Sequence, residues 1–182
     1  MYKRQRYIWF HAASLGEFEQ GRPLIERIRK EHPEYRILQT FFSPSGYEVR
    51  KNYQGADIVC YLPFDTPRNV RCFIEMVNPC MVFFIKYEFW QNYLNTLYKK
   101  GIPVYSVSSI FRPNQIFFRW YGKDYRKVLK TFSHLFVQNE VSEKLLASIG
   151  VTDVTIVGDT RFDRVLDICT VAKAVSYTHL TL

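Results

Sequence analysis

Residues 66–85 read TPRNVRCFIEMVNPCMVFFI, and two hydrophobic patterns in this stretch decide the fold class. Apolar side chains recur three and four positions apart over residues 70–77, which predicts a helix with one buried face. Thr66 is a favourable N-cap residue, and Pro67 suits the first helical position. The run Met81–Ile85 is apolar without interruption, as expected for a strand that is covered on both faces of a parallel sheet.

The same alternation of short apolar runs and amphipathic segments continues along nearly all of the chain. The segments between the runs have helical periodicity, with caps such as Asn139 and glycine stops such as Gly101 and Gly150. Strands that alternate with helices through short connections predict an α/β fold with a doubly wound parallel sheet. The predicted strands are Tyr7–Phe10, Arg36–Phe42, Asp57–Leu62, Met81–Ile85, Val104–Val107, Leu135–Gln138 and Val154–Val157.

The composition is that of a folded protein with an anionic partner. The 182 residues are 47% hydrophobic and 23% charged, which excludes wholesale disorder. Lysine and arginine number 25 against 17 acidic residues, so the net charge is +8, which favours nucleic acid, a phosphorylated metabolite or an acidic membrane surface. The four cysteines form no C-x-x-C pair, and no zinc-ligand spacing is present, so we expect no metal.

Both ends of the chain differ from the elements beside them. Residues 1–5 (MYKRQ) and 176–182 (SYTHLTL) do not continue the neighbouring periodicity, and both resemble translated sequencing-adapter peptides. We interpret them as adapter-derived scars and expect a single domain over residues 6–175. On this interpretation the chain is a piece of a longer protein that has a partner domain.

The loop after the first predicted strand, HAASLGE at residues 11–17, is the first candidate site. Ligands of open α/β sheets bind at the carboxyl ends of strands, and small residues let a substrate approach the backbone. Four interpretations stay open. They are a structural turn with Glu17 at the helix start, a phosphate cradle with only Gly16 well placed, a serine hydrolase without its G-x-S-x-G motif, and Glu17 as a general base or substrate-orienting carboxylate. Pro23 predicts that the regular helix begins nearer Gly21.

Several blocks of the chain, taken in order, resemble one known family. HAASLGE with the following GRPL looks like the H-x-x-S-x-G-E motif of the 3-deoxy-D-manno-octulosonic acid (Kdo) transferases of lipopolysaccharide synthesis. The resemblance extends over about residues 7–174, through SPSG at 43–46, YLPFD at 61–65, EFW at 88–90, QNE at 138–140 and GDTRFD at 158–163.

The resemblance implies a GT-B glycosyltransferase, in which two Rossmann-like domains face each other across a cleft and a membrane anchor precedes the first. This chain matches the N-terminal, acceptor-binding domain, and alone it is expected to be inactive. The implied acceptor is lipid IVA, the acylated and phosphorylated precursor of lipid A. The implied donor is CMP-Kdo, bound mainly by the missing C-terminal domain. No cofactor, metal or nucleic acid is implied, and the intact enzyme is expected at the cytoplasmic face of the bacterial inner membrane.

The resemblance also implies roles for individual residues. Glu17 is expected to be the base that deprotonates the acceptor hydroxyl as it attacks the anomeric carbon of Kdo, in an inverting reaction without a covalent intermediate. The residues carried over as substrate-binding are His11, Ser14, Gly16, Glu88 and Arg161.

Two positions depart from the family pattern. The family sequence Glu-x-Glu-x-Trp reads KYEFW at residues 86–90, so Lys86 replaces a carboxylate and is assigned no role. Arg161 replaces a family lysine, which keeps the charge but changes the geometry of its hydrogen bonds.

Residues 111–130 combine six basic side chains and one acidic one with interleaved aromatic residues. This combination suits a membrane interface, stacking on single-stranded nucleic acid, or a helix with aromatics in the core and charges in water. An anionic lipid acceptor favours the membrane surface as the partner. The alternative to a transferase is a non-catalytic Rossmann-like module that binds an anionic ligand. A complete nucleotide-dependent enzyme is disfavoured, because no glycine fingerprint for phosphate is present.

Overall fold

The computed structural model describes residues 6–158 and Val165. Its centre is a seven-stranded sheet with the order β3-β2-β1-β4-β5-β6-β7, in which every neighbouring pair is parallel. The predicted doubly wound α/β fold is therefore confirmed, and each strand end lies within two residues of its predicted position. The strands are β1 Tyr7–Ala12, β2 Arg36–Phe41, β3 Ile58–Tyr61, β4 Pro79–Ile85, β5 Val104–Ser109, β6 His134–Val137 and β7 Val154–Ile156.

The helices begin at the caps that the sequence predicts. Thr66 Oγ1 accepts the backbone N–H of Asn69 at 3.4 Å, and Asn139 Oδ1 accepts that of Ser142 at 2.9 Å. The helices are α1 Leu15–Glu31, α2 Pro44–Arg50, α3 Pro67–Val77, α4 Gln91–Lys99, α5 Lys123–Leu129 and α6 Glu140–Ser148, with a short 3₁₀ helix at Ile116–Phe118.

Two hydrophobic layers hold the helices on opposite faces of the sheet. Successive strand residues alternate between the layers, so that Phe10 packs with α1 and Trp9 packs with α3 and α4. Helices α1 and α2 cover the first face, and α3 to α6 cover the second. Because helices cover both faces of the sheet, most strand sequences are nearly continuous runs of apolar residues.

The predicted late start of the first helix is wrong. Helix α1 begins at Leu15 and continues through Pro23, its ninth residue. An internal proline costs about 3 kcal/mol, but the turns before it are held by burial of Phe18 and Gly21. A Cβ on Gly21 would lie 2.9 Å from Ile85 Cδ1, so this part of α1 lies very close to β4.

The part of the chain that the structure describes contains no helix with the length and hydrophobicity of a membrane span. The terminal segments interpreted as scars, 1–5 and 176–182, lie outside the described residues. The domain boundaries predicted at residues 6 and 175 stay predictions.

Candidate active site

The loops that follow β1, β2, β3 and β4 leave the carboxyl edge of the sheet on either side of its topological switch point. Strands β1 and β4 are neighbours there although helices and two strands separate them in sequence. The Ala13 carbonyl accepts backbone N–H groups from Phe42 and Ser43, at 3.3 and 2.8 Å, so the β1 and β2 loops are joined. A crevice at such a switch point is the usual ligand site of an open α/β sheet.

Glu17 is the third residue of α1 and lies half-buried at this edge. Its Oε2 accepts the backbone N–H of Ser14 at 3.0 Å, one half of a capping box. Gly16, between them in the first turn, is exposed, and a Cβ there would meet no atom within 4 Å. The first turn of α1 therefore offers a carboxylate beside open space, which a substrate hydroxyl can approach.

His11 lies at the end of β1 and is completely buried. Its Nδ1 lies 2.9 Å from Thr40 Oγ1 on β2, and its Nε2 lies 3.2 Å from Glu88 Oε2 in the loop after β4. Trp9 Nε1 also donates to Thr40 Oγ1, at 2.8 Å. A polar network thus crosses three adjacent strands at the switch point.

Glu88 is nearly buried, with 8% of the residue exposed. Besides the His11 contact, its Oε2 accepts the indole N–H of Trp90 at 2.5 Å. The Trp90 ring also contacts Phe42, with ring centroids 4.9 Å apart, and Phe42 contacts the 70% exposed Phe64 at 5.9 Å. An aromatic surface therefore adjoins the buried carboxylate.

The structure brings the predicted site residues together as two pairs at one edge, Ser14 with Glu17 and His11 with Glu88. Among the described residues no hydrogen bond joins one pair to the other. Arg161 lies outside the described residues.

Lys86, the departure from the family pattern, is at a backbone bend. Its φ of 65° is in the left-handed region, which is uncommon for a residue other than glycine. The bend is held by hydrogen bonds from its N–H to the Val107 carbonyl and from Ser109 Oγ to its own carbonyl, both 2.8 Å long.

Sequence reasoning did not identify Thr40 or Asp65 as parts of this edge. Thr40 was detectable as a polar residue inside the buried strand RILQTF. Asp65, in the YLPFD block, accepts the backbone N–H groups of Asn92 and Tyr93 at 3.1 Å each, and it therefore caps α4 from another loop. That role depends on which loops meet in space.

The basic and aromatic segment 111–130 divides into a core part and a surface part. Phe111 and Phe117 are buried, as the core interpretation predicts, whereas Trp120, Tyr121 and Tyr125 are 90%, 58% and 51% exposed. A separate concavity of about 310 Å³ is lined by Lys123, Arg126, Lys127, Lys130 and Ile149.

Comparison of the sequence with known protein families shows which family the chain belongs to. The sequence pattern of the family described as 3-deoxy-D-manno-octulosonic-acid transferase (kdotransferase) matches residues 1–164. The chain belongs to this family. The resemblance inferred from the sequence blocks is thereby confirmed.

Individual Kdo transferases match long stretches of the chain. The 3-deoxy-D-manno-octulosonic acid transferase of Haemophilus influenzae is 28% identical over 162 residues, which cover 86% of this chain and 38% of that protein. The enzyme of the same name from Aquifex aeolicus is 37% identical over 84 residues, 46% of this chain and 23% of that protein. The chain thus spans less than two fifths of the length of these curated relatives.

Solved structures support the fold. UDP-GlcNAc 2-epimerase from Neisseria meningitidis matches 94% of this chain and 53% of its own, with a TM-score of 0.60 and 15% identity. UDP-N-acetylglucosamine 2-epimerase from Rickettsia bellii matches 90% of this chain and 47% of its own, with a TM-score of 0.60 and 14% identity. At this identity the likeness shows the Rossmann-like fold alone. The match covers about half of each of these structures.

Proposed function

We propose that the protein is a glycosyltransferase that transfers Kdo from CMP-Kdo to lipid IVA in lipopolysaccharide synthesis, and that this chain is its acceptor-binding domain. The donor is bound mainly by a C-terminal domain that this chain does not include. The observation that carries the proposal is the Glu17 carboxylate in the first turn of α1, at the carboxyl edge beside the switch point, in a chain that belongs to the Kdo transferase family.

Glu17 acts as the general base in this proposal. It takes the proton from an acceptor hydroxyl, whose oxygen forms a bond to the anomeric carbon of Kdo. The bond from that carbon to the CMP phosphate breaks on the opposite face, and its electron pair leaves with CMP. A single displacement inverts the configuration, so no covalent intermediate is needed.

The remaining predicted residues complete the proposed acceptor site around this base. Ser14 and Gly16 line the first turn of α1, where the absence of a side chain at Gly16 lets the acceptor approach closely. Glu88 presents a second carboxylate from the loop after β4. We keep His11 and Arg161 in the proposed site, and we assign no role to Lys86.

An anionic membrane surface is the second proposed partner, since the acceptor is a lipid. Support comes from the exposed rings of Trp120 and Tyr121, which directly precede α5 in the sequence, and from the lysine and arginine side chains of α5 that line one concavity. Aromatic rings are favourable at the headgroup level, and basic side chains are attracted to anionic lipids. The cytoplasmic face of the inner membrane is the proposed location of the intact enzyme.

The function can be tested by joining this chain to the C-terminal half of the Haemophilus influenzae relative in one polypeptide. We expect this enzyme to transfer Kdo from CMP-Kdo to lipid IVA, as measured by mass spectrometry of the product. Glu17→Gln should lower kcat by about 10²- to 10⁴-fold, because it removes the base. Glu26→Gln, an exposed carboxylate on the same helix, should leave kcat unchanged.

Near-full turnover in the Glu17→Gln enzyme would show that this side chain is not the base. Acceptor binding by the chain alone, measured by calorimetry, tests the acceptor-domain assignment without catalysis. Failure to bind lipid IVA would contradict that assignment.

A further inference from the structure

The loop between β4 and α4, residues 86–90, is fixed at both ends by the fold. At its start, the left-handed Lys86 is held by hydrogen bonds to β5, from its N–H to the Val107 carbonyl and from Ser109 Oγ to its carbonyl. At its end, the first turn of α4 is held by Asp65. The orientation of the Glu88 side chain, in the middle of the loop, depends on other contacts.

His11 supplies one of those contacts from β1, across the switch point. Its Nε2 lies 3.2 Å from Glu88 Oε2, and Trp90 donates to the same oxygen. Within residues 6–158 the hydrogen bonds of this carboxylate all fall on Oε2, so Oε1 keeps its lone pairs for a ligand. The Glu88 side chain is 10% exposed, and that surface is where a ligand can reach it.

The imidazole itself is inaccessible to a substrate. His11 is 0% exposed, and its ring packs edge-on against Phe84 and Trp90, with centroids 5.6 and 5.8 Å away. Both ring nitrogens have partners within the fold, Thr40 and Glu88.

The Thr40 hydroxyl completes the network for either charge state of His11. Trp9 donates to Thr40 Oγ1, so the hydroxyl keeps one proton and one lone pair. It can donate to His11 Nδ1, or it can donate to the Phe10 carbonyl 3.3 Å away and accept from a protonated imidazole. Nε2–H donates to Glu88 in both cases, so the contact with the carboxylate persists.

We infer that His11 is a positioning residue, which contacts no substrate and orients Glu88 in the acceptor site through the Nε2–Oε2 hydrogen bond. This inference rests on the proposed function for its catalytic consequence, but the geometry can be measured separately. A histidine at the end of β1 thereby fixes a carboxylate 77 positions later in the sequence.

The geometric test uses the three indole N–H groups of this chain, observed by ¹H–¹⁵N NMR. Trp120 is 90% exposed and serves as the internal reference, whereas the Trp90 indole is bound to a carboxylate. We expect the Trp90 indole resonance to lie downfield of Trp120 and to exchange more slowly. His11→Leu should move it toward the Trp120 position, and His11→Gln, which keeps a donor near Nε2, should restore it.

The matched control is His134, at the start of β6 and away from the Glu88 loop. Its Nε2 lies 2.9 Å from Thr155 Oγ1 on the neighbouring strand β7. His134→Leu removes a comparable contact and should leave the Trp90 resonance unchanged. A Trp90 resonance that does not respond to His11→Leu in a folded chain would overturn the inference.

The catalytic test uses the joined enzyme described above. His11→Leu should lower kcat/KM for the acceptor by up to about a hundredfold, the cost of misplacing a site group by an ångström, and this loss should divide between kcat and KM as it does in Glu88→Gln. The double variant His11→Leu/Glu88→Gln should be no worse than Glu88→Gln alone, because both changes remove the same oriented carboxylate.

Additive losses in the double variant, or a rise in acceptor KM that Glu88→Gln does not share, would make His11 a substrate contact and overturn the inference. If the joined enzyme transfers no Kdo at all, the proposed function fails while the NMR result still decides the positioning role.

Discussion

At the residue scale, Glu17 contributes to the start of α1 as well as to the proposed reaction. Its carboxylate accepts the backbone N–H of Ser14, one of the donors that have no partner inside a helix. A loss of activity in a Glu17 variant can therefore come from a frayed helix or from a missing base. The two effects can be separated, because an amide oxygen accepts a hydrogen bond but cannot serve as the base.

Glu17→Gln should keep the free energy of unfolding within about 0.5 kcal/mol of the original chain, since its amide oxygen can accept the Ser14 N–H. Glu17→Ala should lower it by about 0.5–2 kcal/mol, the usual cost of losing a cap. Urea unfolding followed by circular dichroism measures both values. Equal stability of the two variants would mean that the hydrogen bond does not stabilise α1.

At the element scale, the two ends of α1's first half differ in their surroundings, which are open at Gly16 and closely packed at Gly21. Gly21 faces β4 so closely that a Cβ would lie 2.9 Å from Ile85 side-chain atoms. Gly16 faces open space in the first turn. Two glycines five positions apart on one helix thus have different surroundings, a close contact at Gly21 and open space at Gly16.

Gly21→Ala should lower the free energy of unfolding by about 1–3 kcal/mol, because the added methyl group overpacks the contact with Ile85. Gly16→Ala should leave stability unchanged or raise it by up to about 1 kcal/mol, because alanine is the better helix former. The same Gly16→Ala variant should bind lipid IVA more weakly if the acceptor approaches this turn. Thermal unfolding and calorimetry on both variants check these outcomes, and unaltered acceptor binding in Gly16→Ala would contradict the role of Gly16.

At the scale of the whole molecule, Asp57 connects elements that are distant in sequence. Burial alone would raise the pKa of its carboxyl, but hydrogen bonds from the Ile37 N–H, Arg29 and Arg36 outweigh it and lower the pKa below the ordinary value. The contacts join the start of β3 to β2 and α1. A carboxyl whose pKa is lower in the folded state stabilises the fold above its unfolded pKa, and this contribution is lost as the pH falls through the folded value.

Asp57→Asn should therefore lower the free energy of unfolding at pH 7 by about 0.5–1.5 kcal/mol, because the Ile37 N–H and the partly exposed Arg29 and Arg36 lose a charged acceptor. Its stability should also fall less steeply than that of the original chain between pH 5 and pH 2, a window at about the ordinary carboxyl pKa. Urea unfolding across this pH range measures both effects. Glu75→Gln is the control, since Glu75 is an exposed carboxylate on α3. Parallel pH profiles of Asp57→Asn and the original chain would contradict the prediction.

The exposed rings of Trp120, Tyr121 and Tyr125 and the cations of α5 matter at the scale of the whole molecule because together they are proposed to contact a membrane. In vesicle sedimentation we expect more chain to pellet with anionic than with neutral lipid, and less to pellet as salt rises. Trp120→Ser should weaken pelleting, whereas Tyr98→Ser, at a 63% exposed ring on α4, should not. Equal pelleting with neutral and anionic vesicles would contradict the membrane partner.

The sequence by itself determined the alternation of strands and helices, the caps at Thr66 and Asn139, and the family. These depend on local properties, namely the period of the apolar residues, the preferences of cap residues and the order of short motifs. The tertiary structure decided the rest. It carried α1 through Pro23, because burial offsets a local penalty, and it divided residues 111–130 between core and surface.

Only the tertiary structure joined His11 to Glu88 and Thr40, residues 77 and 29 positions away. Side chains so distant in sequence meet because β2 and β4 both pair with β1. Strand order results from the packing of the whole chain, and no local pattern encodes it.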